Sequence, residues 1–365
     1  MKVIERIDDW CRRGDFTVED LARYRIIYGL IALVTLPGLG GIAAQPAAQF
    51  DPPPGPIMLF ASIPSRGALE ALELTIAVLI GFLIIGFKTK GTSLLLAMAM
   101  MTGSGLSYSF GKIDHPIFVL LVPLVMAFSG WGGAMSVDAS LAARSGRPRI
   151  EASQWAMRLL AFMIGLAFFT AGSAKLRSGW LDLDTQAVRG HFLSGFVNHD
   201  RNQLLAPLML RVEEFGFFWE ALDWFTVAME CGLVVAVLWW RTFRIGIAVA
   251  SLFHFGVLMM MNIQFSANVI AYGAFVRWNL FRPTPPGRVL PLSRPVAVVL
   301  GLTLGAATYG VHNSDLDRFL PSIGLEVLVI GAVFASVYLI AQVVQIIKAT
   351  RRRSRTPESR TPTAA

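Results

Sequence analysis

Long apolar stretches separated by short polar connections run through nearly the whole chain. A helix that spans a bilayer needs about 20 predominantly apolar residues, and about ten stretches approach this length. They cover approximately residues 24–42, 68–87, 91–107, 116–131, 154–172, 217–240, 243–261, 265–276, 295–311 and 323–347. The eighth stretch is short and is typical of a tilted or re-entrant piece. The pattern therefore predicts an all-α polytopic membrane bundle with about nine to ten transmembrane helices.

Composition supports a membrane class. Apolar residues make up 55% of the chain and charged residues only 15%, against about 45–50% and about 25% in soluble domains. The net charge of +8 follows topology rather than a nucleic-acid surface. When the connections are sorted alternately, 23 Lys and Arg fall in one set and 8 in the other, with Arg158 inside a span. By the positive-inside rule, this split predicts that both termini are cytoplasmic. We therefore expect a protein of the inner membrane. Because the basic residues follow the topology, no nucleic-acid partner is predicted.

The segments outside the apolar stretches are short. Residues 1–23 are interpreted as an amphipathic cytoplasmic segment before a retained first helix, and residues 348–365 as a disordered basic cytoplasmic tail. The longest outer connection lies between Lys175 and Phe217. Cys11 and Cys231 fall in segments that are not expected to pair, so neither a disulfide framework nor a metal site is predicted.

A few ionisable residues fall in or beside the predicted spans, where they often mark function. They are Arg25, His115, Arg158, Lys175, Glu230 and His254. The topology places His115, Lys175 and His254 towards the outer face, where they are predicted to line one cavity. Glu230, in mid-span, is predicted to face the bundle interior and find a donor. Arg158 is predicted to snorkel to the inner surface.

Simpler explanations stay open for three of these residues. Lys175 at a helix end, with Trp180 at headgroup level, is also typical of interfacial anchoring. Asp182 and Asp184, just beyond it, are possible ion-pair partners. His254 is equally consistent with a hydrogen-bonding strut between helices, and His115 with a helix-start residue in a wet loop.

Four groups of residues have the same order and spacing as motifs of one family. They are Arg25 and Gly29 in the first helix, His115 with Ser136-Val137-Asp138, Ala171-Gly172-x-x-Lys175-Leu176 with Trp180, and Phe253-His254 with Gln264-Phe265-Ser266. This set resembles the vitamin K-dependent gamma-glutamyl carboxylases and their bacterial relatives, the horizontally transferred transmembrane (HTTM) domain. The resemblance implies an HTTM/carboxylase-like domain over residues 24–285, followed by additional C-terminal helices over 286–347.

The resemblance also implies chemistry. Lys175 would be the base that deprotonates a reduced quinone of the vitamin K or menaquinone type, which requires burial of its amine. His115 would be the second catalytic residue, hydrogen-bonded to the quinol or its oxyanion. Oxygen and carbon dioxide would be co-substrates. The implied quinone-binding residues are His254, Trp180, Phe168, Glu230 and Arg25.

The implied substrate is a secreted peptide or small protein. The eukaryotic carboxylases carry a large lumenal region after their helices, whereas two further helices and a short tail follow here. The alternative hypothesis is therefore a non-catalytic membrane factor for maturation, export or binding of a secreted peptide or lipid.

Overall fold

The computed structural model describes residues 2–353 except 37, 112, 114, 115, 200, 202, 282, 284–291 and 314–322. All regular structure in these residues is helical. The α-helices are α1 (Lys2–Arg12), α2 (Val18–Val34), α3 (Arg66–Ile85), α4 (Thr89–Tyr108), α5 (Ile117–Met126), α6 (Val137–Arg144), α7 (Gln154–Arg177), α8 (Ala187–His199), α9 (Ala206–Arg211), α10 (Gly216–Ala236), α11 (Trp240–Met261), α12 (Ser266–Tyr272), α13 (Arg294–His312) and α14 (Ile323–Arg353). Short 3-10 helices lie between α2 and α3 and after α12. Of the predicted disordered tail 348–365, residues 348–353 are instead the helical end of α14, and the rest lies outside the described residues.

Six of the described helices are long and apolar enough to cross a membrane: α2 with its extension in Val18–Ala44, α3, α7, α11, α13 and α14. The prediction of nine to ten spans is not confirmed. Helices α4 and α10 have 20 and 21 residues, which is the length of a span. Their sequences are more polar, however, and α10 alone carries Glu220, Asp223 and Glu230.

Two of the ten apolar stretches form short buried helices rather than full spans. Helix α5 has 10 residues and α12 has 7, so they are about 15 Å and 10 Å long at 1.5 Å per residue. The hydrocarbon core is about 30 Å thick. Both helices pack against other helices, α5 on α4 and α7, and α12 on α5 and α14. Interior burial therefore explains their apolar sequences.

One end of the bundle, here called the near end, is joined by the N-terminal segment. The Trp10 indole donates to the Leu238 carbonyl, and the Trp240 indole donates to the Arg13 carbonyl. Asp15 forms ion pairs with Arg244 at 2.6 Å and with Arg277 at 2.7 Å. The start of α11 and the end of α10 therefore lie at the near end, and the opposite end is called the far end.

Helix α13, the first of the two C-terminal helices, packs tightly along α3. A Cβ on Gly305 would lie 2.4 Å from the Val78 Cα, and a Cβ on Gly81 would lie 2.5 Å from the Gly301 carbonyl oxygen. Only glycine allows two helix backbones to approach this closely. The buried carboxylate of Glu73 accepts hydrogen bonds from the Leu39 amide at 3.0 Å and from Asn313 Nδ2 at 3.1 Å. This carboxylate fixes the C-terminal end of α13 against the rest of the bundle.

A small helical cap covers part of the far end. It consists of α8, α9 and the first turns of α10, which pack around a separate apolar cluster containing Phe192 and Trp219. The buried Asp223 carboxylate accepts hydrogen bonds from the Ala187 and Val188 amides at 2.7 and 2.8 Å. These amides lie at the N-terminus of α8, where a carboxylate is favourable. The predicted outer connection is therefore a folded layer.

Candidate functional site

Lys175 and Glu230 form an ion pair inside the bundle. The Lys175 Nζ lies 2.6 Å from both carboxylate oxygens of Glu230. Glu230 is buried, and the Lys175 side chain is partly exposed. Glu230 thus faces the interior and has a donor, as the sequence predicted, and its partner is Lys175 rather than a backbone group. The lysine does not extend as a simple interfacial anchor.

Two glycines on α7 bring the partner helix α10 close enough for this pair. A Cβ on Gly165 would lie 2.9 Å from the Val234 Cα, and a Cβ on Gly172 would lie 2.8 Å from the Cys231 Sγ. Gly172 precedes Lys175 by three residues, so the two lie on the same face of α7. The glycine therefore determines the distance between the helices at the point where the lysine reaches across to α10.

Trp180 covers the lysine at the far end. The Lys175 Nζ lies 5.2 Å from the Trp180 ring centroid, within the range of a cation–π contact. Gly179 has a φ of +81°, and this turn lets the Trp180 amide donate back to the Lys175 carbonyl at 3.2 Å. On its other side Trp180 contacts the His191 ring at 5.6 Å. The folded cap therefore supplies one wall of the site.

His254 lies deeper in the bundle, on α11. Its Nε2 is 3.1 Å from the Tyr272 hydroxyl of α12, and its ring stacks on Phe265 at 4.5 Å. Tyr272 also interacts with the Asn268 side chain and lies within electrostatic range of Glu230. His254 is thus a buried hydrogen-bonded residue that connects α11 to α12. Tyr272 joins it to the region of the ion pair.

Phe168 connects the two parts of the site. It precedes Lys175 by seven residues, or two turns, on the same face of α7 and about 10 Å deeper. Its ring lies 5.9 Å from His254 and 6.5 Å from Tyr272. Phe118 of α5 stacks on it at 6.5 Å. Helices α5, α7, α10, α11 and α12 therefore converge on one region that is polar at Lys175 and Glu230 and aromatic below them.

Arg25 lies away from the Lys175 region, towards the near end of the bundle. Its fully buried guanidinium donates to the backbone carbonyls of Trp131 at 2.9 Å and Met135 at 2.6 Å. Gly86, with a φ of +69°, makes room for it, because a Cβ there would lie 2.7 Å from the Arg25 Nη1. The structure thus places Arg25 in a backbone-capping role that holds the turn before α6.

The Ser136-Val137-Asp138 motif acts beside this turn. The Ser136 hydroxyl caps α6 by accepting from the Ala139 amide at 2.9 Å. The Asp138 carboxylate caps α4 by accepting from the Lys88 and Thr89 amides at 2.8 and 2.6 Å. Short polar side chains at helix N-termini satisfy amides that have no partner within the helix. This motif therefore stabilises the fold away from the Lys175 region.

Two further residues complete the comparison with the sequence. His115 lies outside the described residues. Arg158 is buried rather than snorkelling to the surface: its guanidinium carbon lies 4.6 Å and 3.8 Å from the ring centroids of Trp10 and Trp240. It donates to the Val237 carbonyl at 2.7 Å. Cation–π contacts and the end of α10 replace the water that an exposed arginine would seek.

Sequence reasoning missed Asn268, Tyr272 and Gly165. The first two were polar positions four residues apart in an otherwise apolar stretch, which places them on one face of a helix and was a usable signal. For Gly165, the spacing of seven residues from Gly172 was the available signal. The described residues contain no group of three or more His, Cys, Asp or Glu side chains arranged to hold a metal ion.

Comparison with known proteins gives one family. The family model described as HTTM domain matches residues 16–284, which is more than half of the chain. No curated protein and no solved structure matches the chain. The apolar helices fit a multi-pass membrane protein. The matched region contains Arg25, Lys175, Glu230 and His254. The chain therefore belongs to the HTTM domain family, which is related to the vitamin K-dependent gamma-glutamyl carboxylases.

Proposed function

We propose that this protein is a membrane enzyme that couples the oxidation of a quinol to modification of a secreted peptide or small protein, in the manner of the carboxylases. The observation that carries the proposal is the Lys175–Glu230 pair, a base and a proton acceptor in direct contact within the bundle. Membership of a carboxylase-related family supports it. The expected co-substrates are oxygen and carbon dioxide.

The side chains around the pair fit a ring ligand of the quinone type. Phe168 and Trp180 provide aromatic faces, and Tyr272 and His254 provide hydrogen-bonding groups below them. An apolar pocket with a few convergent polar groups is the usual form of a cofactor site. A bound quinol would supply the reducing equivalents that oxygen consumes, and the energy released would drive removal of a proton from the substrate.

The role of the ion pair is to move a proton. An amine acts as a base only after its own proton has left, and the Glu230 carboxylate is the acceptor within 2.6 Å of the Lys175 Nζ. Glu230 Oε1 takes that proton, and Lys175 Nζ then accepts the proton of a ligand hydroxyl. Trp180 lies over the lysine and reduces its contact with bulk water, which strengthens each electrostatic interaction in the site.

The proposed orientation puts the far end outside the cytoplasm. The 23-to-8 division of Lys and Arg between the two sets of connections supports a cytoplasmic near end. Both termini are then cytoplasmic and the membrane is the inner membrane. Lys175 and the cap would face the compartment that a secreted substrate enters.

One observation favours a different function. A lysine held by both oxygens of a carboxylate from the neighbouring helix also has the geometry of a strut between membrane helices. In that case the protein would be a non-catalytic factor that assists maturation, export or binding of a secreted peptide or lipid. The two functions differ in whether the purified protein consumes a quinol.

The experiment measures quinol and oxygen consumption by the purified protein in detergent with bicarbonate. Lys175→Met should lower turnover by about 10²-fold or more, the scale of losing a general base. An added small amine should restore part of it. Arg177→Met, which removes an exposed cation two residues further along α7, is the matched control and should retain activity.

Lys175→Met leaves Glu230 without its partner, so Lys175→Met with Glu230→Gln keeps the interior neutral and reports on folding. Wild-type-like consumption by a folded Lys175 variant would reject the catalytic role. Absence of consumption by the wild type with every quinol tested would favour the non-catalytic factor.

A further inference from the structure

Asn268 carries a buried hydrogen-bond acceptor that nothing in the described part of the chain satisfies. The residue is 3% exposed, and its Oδ1 has no hydrogen-bond partner there. Leaving such an atom without a partner destabilises a fold, so each case in a native protein calls for an explanation. The surroundings of Asn268 support one explanation, which is a bound ligand that donates a hydrogen bond to Oδ1.

The position of Asn268 points it towards the candidate site. It precedes Tyr272 by four residues, so the two lie on the same face of α12, and its side chain interacts with the Tyr272 hydroxyl. The Tyr272 hydroxyl in turn contacts His254. Because Oδ1 has no partner, the amide group that serves Tyr272 is the Nδ2. This contact fixes the orientation of the side-chain amide, in which Oδ1 is the atom without a hydrogen-bond partner in the described residues.

The neighbouring walls are aromatic. Phe168 contacts both Tyr272 and His254, and Phe118 stacks on Phe168. A ligand that fits this region has a flat apolar body with a hydroxyl at its edge. A carbonyl oxygen accepts hydrogen bonds and cannot donate one. The reduced ring of a quinol therefore satisfies Oδ1, whereas the oxidised ring places two acceptors against each other.

We propose that Asn268 is the residue that makes the site prefer the reduced ring of a quinol over the oxidised quinone, by accepting a hydrogen bond from a ring hydroxyl at Oδ1. This inference rests on the proposed function, since it assumes a ligand of the quinone type. The role of Asn268 is separate from that of Lys175. Lys175 and Glu230 move a proton, whereas Asn268 makes binding depend on the oxidation state of the ring.

The test compares the binding of a short-chain menaquinol, its quinone and its dimethyl ether to the purified protein in detergent, under anaerobic conditions. Wild type should bind the quinol about tenfold more tightly than either of the other two, the scale of one net hydrogen bond. Asn268→Leu should bind all three equally, mainly because its affinity for the quinol falls. Asn198→Leu, which changes an exposed asparagine on α8, should retain the preference.

The outcomes separate this inference from the proposed function. Lys175→Met should lose turnover and keep the binding preference. A folded Asn268→Leu protein with an unchanged preference for the quinol would overturn the role of Asn268. The proposed enzymatic function would be unaffected by that result. If Asn268→Leu does not fold, Asn268→Ala, which removes the same oxygen without adding bulk, makes the same comparison. A wild type that binds none of the three ligands would overturn both proposals.

Discussion

The close contact between α7 and α10 predicts a specific effect of Gly172→Ala. The new Cβ would lie 2.8 Å from the Cys231 Sγ, 2.9 Å from the Glu230 Cβ and 3.0 Å from the Cys231 amide nitrogen. Ordinary contacts begin near 3.4 Å, so α10 has to move away by about half an ångström. Two of the three atoms lie on or next to the backbone, so a change of side-chain rotamer alone cannot relieve the clash.

The expected magnitude follows from two opposing effects. Overpacking of a well-packed interface costs about 1–3 kcal/mol. Replacing glycine by alanine within a helix contributes about 0.5–1 kcal/mol of stability. The net expectation for Gly172→Ala is a loss of roughly 1 kcal/mol in the free energy of unfolding, within a range of about 0–2.5 kcal/mol. A displacement of half an ångström also lengthens the Lys175–Glu230 contact, so turnover should fall with stability.

The assay is unfolding in mixed micelles of a mild detergent and sodium dodecyl sulfate, followed by tryptophan fluorescence. Gly232→Ala is the matched control, because Gly232 lies within α10, four residues before its end, and a Cβ there meets nothing within 4 Å. The control should be as stable as the wild type or up to about 1 kcal/mol more stable. Equal stability of the Gly172→Ala and Gly232→Ala proteins would refute the close approach of α7 and α10.

Two predictions concern the near end. Burial raises the pKa of Asp15, but hydrogen bonds and charge from Arg244 and Arg277 outweigh this and leave the pKa lowered. The ionised Asp15 therefore contributes its full stabilisation above the ordinary aspartate pKa, near 3.9, and this stabilisation is lost as the pH falls below that value. The Asp15→Asn protein should lack this loss of stability in acid. Identical acid-unfolding profiles of the variant and the wild type would contradict the prediction. Arg25→Lys should cost roughly 1.5–3 kcal/mol, since one ammonium cannot reach the carbonyls that the guanidinium joins; unchanged thermal stability in detergent would contradict this role.

The sequence singles out both members of the ion pair, but it does not predict that they contact each other. Lys175 and Glu230 stood out because each is an ionisable residue in or beside an apolar stretch. Their pairing depends on the vertical offset between α7 and α10, and the sequence also presents Asp182 and Asp184 as partners for Lys175. Which helices touch, and at what offset, is decided by contacts such as those of Gly172. A hydropathy pattern along one chain carries no information on these contacts.

The predicted span count is not confirmed, for a related reason. Hydropathy measures how apolar a segment is, and a helix buried in protein is as apolar as one that faces lipid. Helices α5 and α12 are apolar because they pack inside the bundle. Length was the better discriminator for α12, whose stretch was already noted as short. For α5, the turns after Met126 end the helix before the apolar stretch ends.

The family motifs divide by their physical roles along the bundle axis. Gly29, where a Cβ would lie 2.5 Å from Ile84 Cγ1, and Arg25 and Asp138 fix backbone at the near end. The Gly172–Lys175 pair does something different: one turn of helix carries both the residue that lets α10 approach and the residue that reaches across to Glu230. The spacing of that motif is therefore a geometric requirement of the pair. Contacts at the near end hold the five converging helices in register, and this register keeps the Lys175 amine and the Glu230 carboxylate together above the buried Phe168 and His254 rings.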